Sequence, residues 1–378
     1  MPVLWKKGAV KNGPVRRVVR ALCGPVEMDR QRYRCPGCDQ SFYAPNAFFD
    51  SLGARTVTEE VWRIGLQLGA YVSYAQTSRL LERFFGVKVS AAALHGEMVT
   101  RGLAESAAVG NAAHDQATFR SLPDPAPPST ASGRQYVEMD GCYVHRWREK
   151  ASFELKVGNI FSDPILTENG TRKWIEHKEY VGYFGDSETF GERLFSCGER
   201  FAVSNAEELY VLGDGASWIR SLHSQYFPHG QLILDWWHVQ KAVRTTLRTV
   251  VPEESERGRF DTAITSALFS GDVGRALKTI EQLPATTRKR AEERAALAHY
   301  IRSNRHAIPN YEATKAQGIH IGSGVIENTC MDTVGRRMKH RGMGWTERGA
   351  EAILCLRLIH LNGQWDDYWD REHPRQAA

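Results

Sequence analysis

The chain has no run of about eighteen apolar residues, which excludes an ordinary helical membrane span. Its opening stretch, MPVLWKKGAVKNGPVRR, lacks the apolar centre of a secretory signal, so the protein is expected in the cytoplasm, at the nucleoid if it binds DNA. Cysteine is scarce and scattered: Cys23, Cys35, Cys38, Cys142, Cys197, Cys330 and Cys355. An odd count without a signal excludes a disulfide framework. Only Cys35 and Cys38, in YRCPGC, have metal-ligand spacing, and no histidine precedes His95. A tetrahedral zinc site usually needs two such pairs, so these two cysteines read as half of one. An acidic excess is also missing. The net charge is +5, and the first fifty residues alone hold nine Lys/Arg against four Asp/Glu (9 − 4 = 5).

What is present is a soluble globular balance, with 42% hydrophobic and 25% charged residues, in a chain of 378 residues, long enough for two or three domains. Residues 1–50 are basic and rich in Gly and Pro. VRRVVRALCGPVEMDRQRYRC reads as a hairpin turning at Gly24-Pro25, so the segment is zinc-ribbon-like but incomplete. Residues 51–121 read as helical. Val57, Val61, Ile64 and Leu68 form one stripe, and SYAQTSRLLERFFG ends at Gly86. After a Ser90 cap a further helix starts at Ala91. This helix–turn–helix outline would carry Ser90, His95 and Arg101 toward DNA. Residues 122–134, LPDPAPPSTASGR, have linker composition.

From Gln135 the pattern turns to strands. QYVEMDGCYV, FELKVGNIFS and KEYVGYFGD read as three strands and SETFGERLFSCGERFAV as a helix. ELYVLGDG follows as a strand, ASWIRSLHSQYF as a helix and QLILDWWHV as a strand. That order is the order of an RNase H-like α/β domain, placed at 135–378. The polar, charged helices that follow read as an all-helical insertion at about 246–318.

Three acids stand out against this frame. Asp140 lies in YVEMDGCYV, Asp214 in LYVLGDGASW and Glu327 in GSGVIENTC. The first two belong to the central strands, and the third opens a helix 113 residues beyond Asp214 (327 − 214). Carboxylates gathered from distant segments are the means of holding two Mg²⁺ or Mn²⁺ ions for phosphodiester chemistry, one ion activating the nucleophile and the other stabilising the leaving oxygen. Each acid taken alone reads equally as a helix cap or a surface ion pair. Gly322, Ser323 and Gly324 precede the Glu327 helix, and Arg336, Arg337, Lys339 and Arg341 follow it as a basic cluster suited to a phosphate backbone. Trp345 either stacks on a displaced base or packs as core. Trp236 and Trp237 are expected in the core.

Taken in order, RYRCPGC, VEMDGCYV, VLGDGASWI, LILDWWHV, IGSGVIENTCMDTVGRRMKHRGMGWTERGAEAILCLR and the closing WDDYW resemble the ISKra-type insertion-sequence transposases of the Mutator-like group. The resemblance implies an N-terminal zinc and helix-turn-helix region and an RNase H-like Asp-Asp-Glu core with a helical insertion. It also implies cut-and-join chemistry on double-stranded DNA: the terminal inverted repeats of the element and its target. Two bound ends imply a homo-oligomer. The resemblance also places Asp235 and His238, as D-x-x-H, beside the active site, where His238 would orient the scissile phosphate or carry a proton; the pair reads equally as a turn-structuring contact. The family's first cysteine pair is absent here, and Asn328 stands where a Ser is usual. Three other readings stay open: a transposase-derived DNA-binding protein without catalysis, an RNase H-like nuclease without strand transfer, and a glycosidase using paired carboxylates.

Overall fold

In the computed structural model, residues 9–44, 46–52, 55–119, 133–163, 165–166, 173–175, 178–322 and 324–372 are described. The expected linker 122–134 lies outside them except for Gly133 and Arg134, as does Ser323. The chain divides into two units, residues 1–103 with 365–378, and residues 104–364.

In the first unit, β1 (Val10–Ala21) and β2 (Gly24–Arg34) form the expected antiparallel hairpin, paired from Val10↔Arg34 to Ala21↔Gly24. β3 (Ser41–Tyr43) adds to β2. The helices α1 (Ala47–Leu52), α2 (Glu59–Gly69), α3 (Tyr74–Phe85) and α4 (Ala91–Phe119) follow, with α4 entering the second unit at Ala104. α3 opens on a capping box between Ser73 and Gln76 and closes on Gly86 at φ 67°, the left-handed cap that glycine adopts without strain. Hairpin and helices belong to one unit rather than two separate domains. The backbone of Arg20 bonds to Thr56 and Thr58, and Arg30 reaches Asp50 at 2.7 Å. The C-terminal helix Trp365–Glu372 is part of the same unit: Asp366 pairs with Arg63, and Trp369 lies under the Arg101 guanidinium at 4.7 Å.

The second unit is built on a five-stranded sheet. Its strands are β4 (Arg134–His145), β5 (Ser152–Ser162), β8 (Lys178–Tyr183), β9 (Glu208–Gly213) and β10 (Gln231–Leu234), in the order β10-β9-β4-β5-β8. The two-residue strands β6 (Ile165–Leu166) and β7 (Lys173–Trp174) pair apart from it. β4, β5 and β8 run as an antiparallel meander, whereas β9 and β10 join β4 in parallel. Alternation along β4 and β9 sends Val137, Met139, Leu209 and Val211 to one face, where they meet α5 (Ser187–Arg200) and α6 (Ser217–Tyr226). Tyr136, Tyr210 and Leu212 face the other way. There they pack with α7 (Trp236–Val250) and the helices α8 (Glu254–Phe269), α9 (Val273–Glu281), α10 (Arg288–Ser303) and α11 (Tyr311–Ala316). Beyond it come α12 (Gly324–Cys330), a π-helical turn Met331–Gly335, α13 (Arg336–Met338) and α14 (Glu347–Leu361).

One element departs from the sequence reading. QLILDWWHV is not a single strand: it stops at Leu234, and α7 begins at Trp236. Asp235 ends the strand by capping the helix, its Oδ1 accepting from the backbone N–H of Trp237 at 2.7 Å and of His238 at 3.4 Å.

Candidate active site

Strand register places three acids in one row. Glu138 pairs with Leu212 across β4 and β9, so Asp140 and Asp214 stand level, two residues further on. Gly213 pairs with Leu234 across β9 and β10, so Asp214 and Asp235 stand level as well. The Asp235 N–H also donates to the Gly213 carbonyl at 2.9 Å. Neighbouring strands lie about 4.8 Å apart. The three carboxylates therefore close the parallel part of the sheet side by side. Asp140 and Asp214 lie on the face that α7 covers, two residues on from Glu138 and Leu212.

Local chemistry fixes each acid. Asp214 stands between two glycines that the packing requires. A Cβ on Gly213 would meet Ile219 at 2.8 Å, and one on Gly215, whose φ is +90°, would meet Asn304 at 2.7 Å. The Asp214 Oδ1 accepts from the Ala216 N–H at 2.8 Å, and its carbonyl accepts from the Tyr300 hydroxyl at 2.9 Å. The Asp140 Oδ1 accepts from the Gly141 N–H at 2.7 Å. Burial raises the Asp140 pKa above the ordinary carboxylate value, and Asp214 and Asp235 push it the same way; Gly141 and His238 only partly offset them. The His238 Nδ1 lies 3.2 Å from the Asp235 Oδ2, an ion-pair contact. Burial works against a charged His238, but Asp235, with Asp140 and Asp214, outweighs it and raises the pKa above the usual histidine value.

Glu327 is an exposed residue of α12. That helix is held on the same sheet: the Asn159 Nδ2 on β5 donates to the Thr329 Oγ1 at 2.8 Å, and the Cys330 thiol is 4.0 Å from the Asp140 Oδ2. Cys330 also contacts the Cys142 thiol on β4. Glu327, one turn before Cys330, lies on the neighbouring part of the helix surface. Among the described residues no three His, Cys, Asp or Glu side chains are close enough to hold one metal ion. The donors themselves suit a hard divalent cation. They are carboxylate oxygens, half-buried at Asp140 and Asp214 and exposed at Glu327, and a cation would neutralise the like charges that add to the rise of the Asp140 pKa.

The basic cluster divides. Arg336, Lys339 and Arg341 are exposed, but Arg337 is buried, with its guanidinium 5.0 Å from the centre of the Trp345 ring. Trp345 is buried too and donates its indole N–H to the Met338 carbonyl at 3.1 Å. These two residues pack the interior; the DNA contact expected of them is corrected on that ground. Arg101, expected to face DNA from α4, is likewise buried and paired with Glu59 at 2.6 Å and Glu97 at 2.7 Å. Ser90 and His95 remain exposed. Cys35 and Cys38 share a tight turn after β2, Cys35 buried and Cys38 exposed.

One residue of the site escaped the sequence reading, and one aromatic next to it was misplaced. Glu138 is fully buried beneath α12, touching the Ile326 backbone and, at 3.5 Å, the Asn159 Nδ2. Burial pushes its pKa up to about 8, and Asp235 adds to the rise. The period-two step from Glu138 to Asp140 in YVEMDG was the available signal. Trp237 was expected in the core, where only Trp236 packs, against Phe269 and Tyr311.

Among the described residues no helix is long and apolar enough to cross a membrane. The model of the uncharacterised protein family UPF0236 matches residues 16–371. A UPF0236 protein of Caldanaerobacter subterraneus subsp. tengcongensis, whose name strings together eleven locus names, is 22% identical over 58% of this chain and 42% of its own length. A UPF0236 protein of Streptococcus gallolyticus, named for its place in the vanSb 3′ region, is 22% identical over 95% of this chain and 75% of its own length. The chain thus spans less than half of the first of these relatives.

Proposed function

We propose that this chain, which belongs to the UPF0236 family, is a DNA transposase that cuts the ends of a mobile element and joins their 3′-hydroxyls to target DNA. The observation that carries the reading is the register that sets Asp140, Asp214 and Asp235 in one row, with the helix of Glu327 fastened to the same sheet. The strand order β10-β9-β4-β5-β8, an antiparallel meander extended by two parallel strands, supports an RNase H-like core. The eleven locus names of one relative support a gene that multiplies within a genome, as a mobile element does. The likeness to ISKra-type transposases enters on the same footing.

In this reading Asp140, Asp214 and Glu327 would hold Mg²⁺ or Mn²⁺, the exposed Glu327 side chain turning toward the carboxylate row to complete the set. When bound, the ions supply a polarised nucleophile and a stabilised leaving oxygen. Asp235 fixes the start of α7 and, with it, the position of His238. His238, kept protonated above the usual pH by its carboxylate neighbours, donates to a non-bridging phosphate oxygen. Arg336, Lys339 and Arg341 contact flanking phosphates, and Ser90, which caps α4, and His95 on α4 read the element ends. Double-stranded DNA is the partner, and two bound ends require a homo-oligomer. Zinc at Cys35 and Cys38 requires further ligands.

The test is strand cleavage by the purified protein on DNA carrying the sequences that flank its gene. Wild type should nick in Mg²⁺. Asp140→Asn and Glu327→Gln should lose at least about a hundredfold in rate, the scale of removing one group that stabilises transition-state charge, while binding the DNA unchanged. Cleavage without joining would make the protein a nuclease. Binding without cleavage in wild type would make it a DNA-binding protein with a retired site.

A further inference from the structure

The outward face of α7 starts at the candidate active site and is built differently from the rest of that helix. Trp237, next to His238, is 43% exposed, unlike the packed Trp236. Lys241, one turn on, places its ammonium 4.5 Å from the centre of the Trp237 ring. Arg244 and Arg248 continue the same exposed face at helical spacing, with Arg244 partnered by Asp261 at 3.1 Å. Beside this face lies an open cavity of about 370 Å³ between α7 and α10, lined by Asp214, His238, Lys241, Thr245, Leu297 and Tyr300 among others. The cavity, which holds two groups of the candidate active site, therefore adjoins a helix face that carries an exposed aromatic ring and a run of cations, and Lys241 belongs to both.

The geometry points to a cradle for unpaired DNA: Trp237 stacks a base freed from pairing next to the scissile phosphate, and Lys241 and Arg248 hold the phosphates that follow. An indole exposed to water costs hydration free energy, and a base stacked on it recovers that cost whatever the base's identity. Lys241 covers part of the ring and draws the backbone toward it. The row of carboxylates repels phosphate, so the cations of α7 also offset that repulsion where the strand enters. This inference rests on the DNA reading above.

The test uses the full chain with Ca²⁺, and two DNA probes of equal length. One is fully paired, and the other ends in three unpaired nucleotides carrying 2-aminopurine. Wild type should quench the 2-aminopurine. Trp237→Phe, which keeps a ring, should retain most of the quenching. Trp237→Ala should bind the paired probe as wild type does, yet bind the unpaired end roughly tenfold more weakly and without quenching, as loss of one stacked base implies. Lys241→Gln should weaken binding and its salt dependence while quenching persists. Equal affinity and equal quenching in wild type and Trp237→Ala would overturn the cradle and leave the DNA reading standing. Failure of wild type to bind either probe would overturn both. Circular dichroism of each variant keeps a folding defect from passing as the predicted loss, and the Phe and Gln variants decide the matter if the Ala variant does not fold.

Discussion

Glu138 is the residue whose environment makes the sharpest prediction. Its carboxyl is buried under α12, one Oε1 has no hydrogen-bond partner, and burial raises its pKa from 4.5 to about 8. The native state therefore keeps a proton that the unfolded chain releases. Stability from this group is complete below about pH 4.5 and is lost as the pH rises toward 8. Glu138→Gln imitates the protonated acid and should remove that slope. In urea unfolding of the metal-free protein, wild type should lose more than about 1.4 kcal/mol relative to Glu138→Gln between pH 5 and pH 8.5. Equal slopes would show that Glu138 is ionised in the native state. At this scale the sequence was legible where alternation or a motif spoke for the residue, as for Asp140 and Asp214. It was silent where tertiary packing decided. Arg337 and Arg101 look like surface cations in the sequence. The first is buried beside Trp345, and the second is enclosed by Glu59, Glu97 and Trp369. Hydropathy gives no means of telling a solvated arginine from a paired, buried one.

At the scale of elements, the segment behind Glu327 carries an irregularity with an identifiable support. α12 passes into a π-helical turn at Met331–Gly335, whose backbone carbonyls are out of step with the usual helical donors. Arg357, buried on α14, supplies the donors: its Nε bonds to the Asp332 carbonyl at 2.7 Å and the Thr333 carbonyl at 2.9 Å. Arg357→Ala should cost about 3 kcal/mol, the scale of leaving buried acceptors unpaired, and should reduce cleavage as the Glu327 helix loses its anchor. Thermal or urea unfolding measures the first effect. A substitution that leaves stability within about 0.5 kcal/mol would show that the turn does not depend on Arg357. The sequence showed a helix after GSG, but not the π-turn, because no residue type marks one. The strand-to-helix junction at Asp235 was open to a closer reading. An Asp after LIL is a strong cap signal, yet the apolar pair Trp236–Trp237 prolonged the apparent strand, and side-chain pattern alone does not separate a buried strand from the first turn of a helix.

At the scale of the whole molecule, the order of elements was the most legible feature. Three strands, helix, strand, helix and strand emerged from alternation and glycine-marked turns, and the sheet joins them with β4 at its centre. The division into units was less so. Composition suggested a break near residue 50, whereas the hairpin and helices form one unit that also takes in the C-terminal helix Trp365–Glu372. Contacts over some three hundred residues, such as Arg63 with Asp366, leave no local trace in sequence.

The transposase reading predicts that the DNA flanking the gene is mobile, and one experiment measures it. A marker flanked by the DNA that borders the gene is placed on a plasmid, and the protein is supplied in trans, as wild type and as Asp140→Asn. The account predicts joined products with wild type and none above background with Asp140→Asn, although both proteins bind the ends. Joined products at equal frequency with Asp140→Asn would contradict the catalytic role of the carboxylate row, and no products with wild type, despite bound ends, would contradict the transposase reading itself.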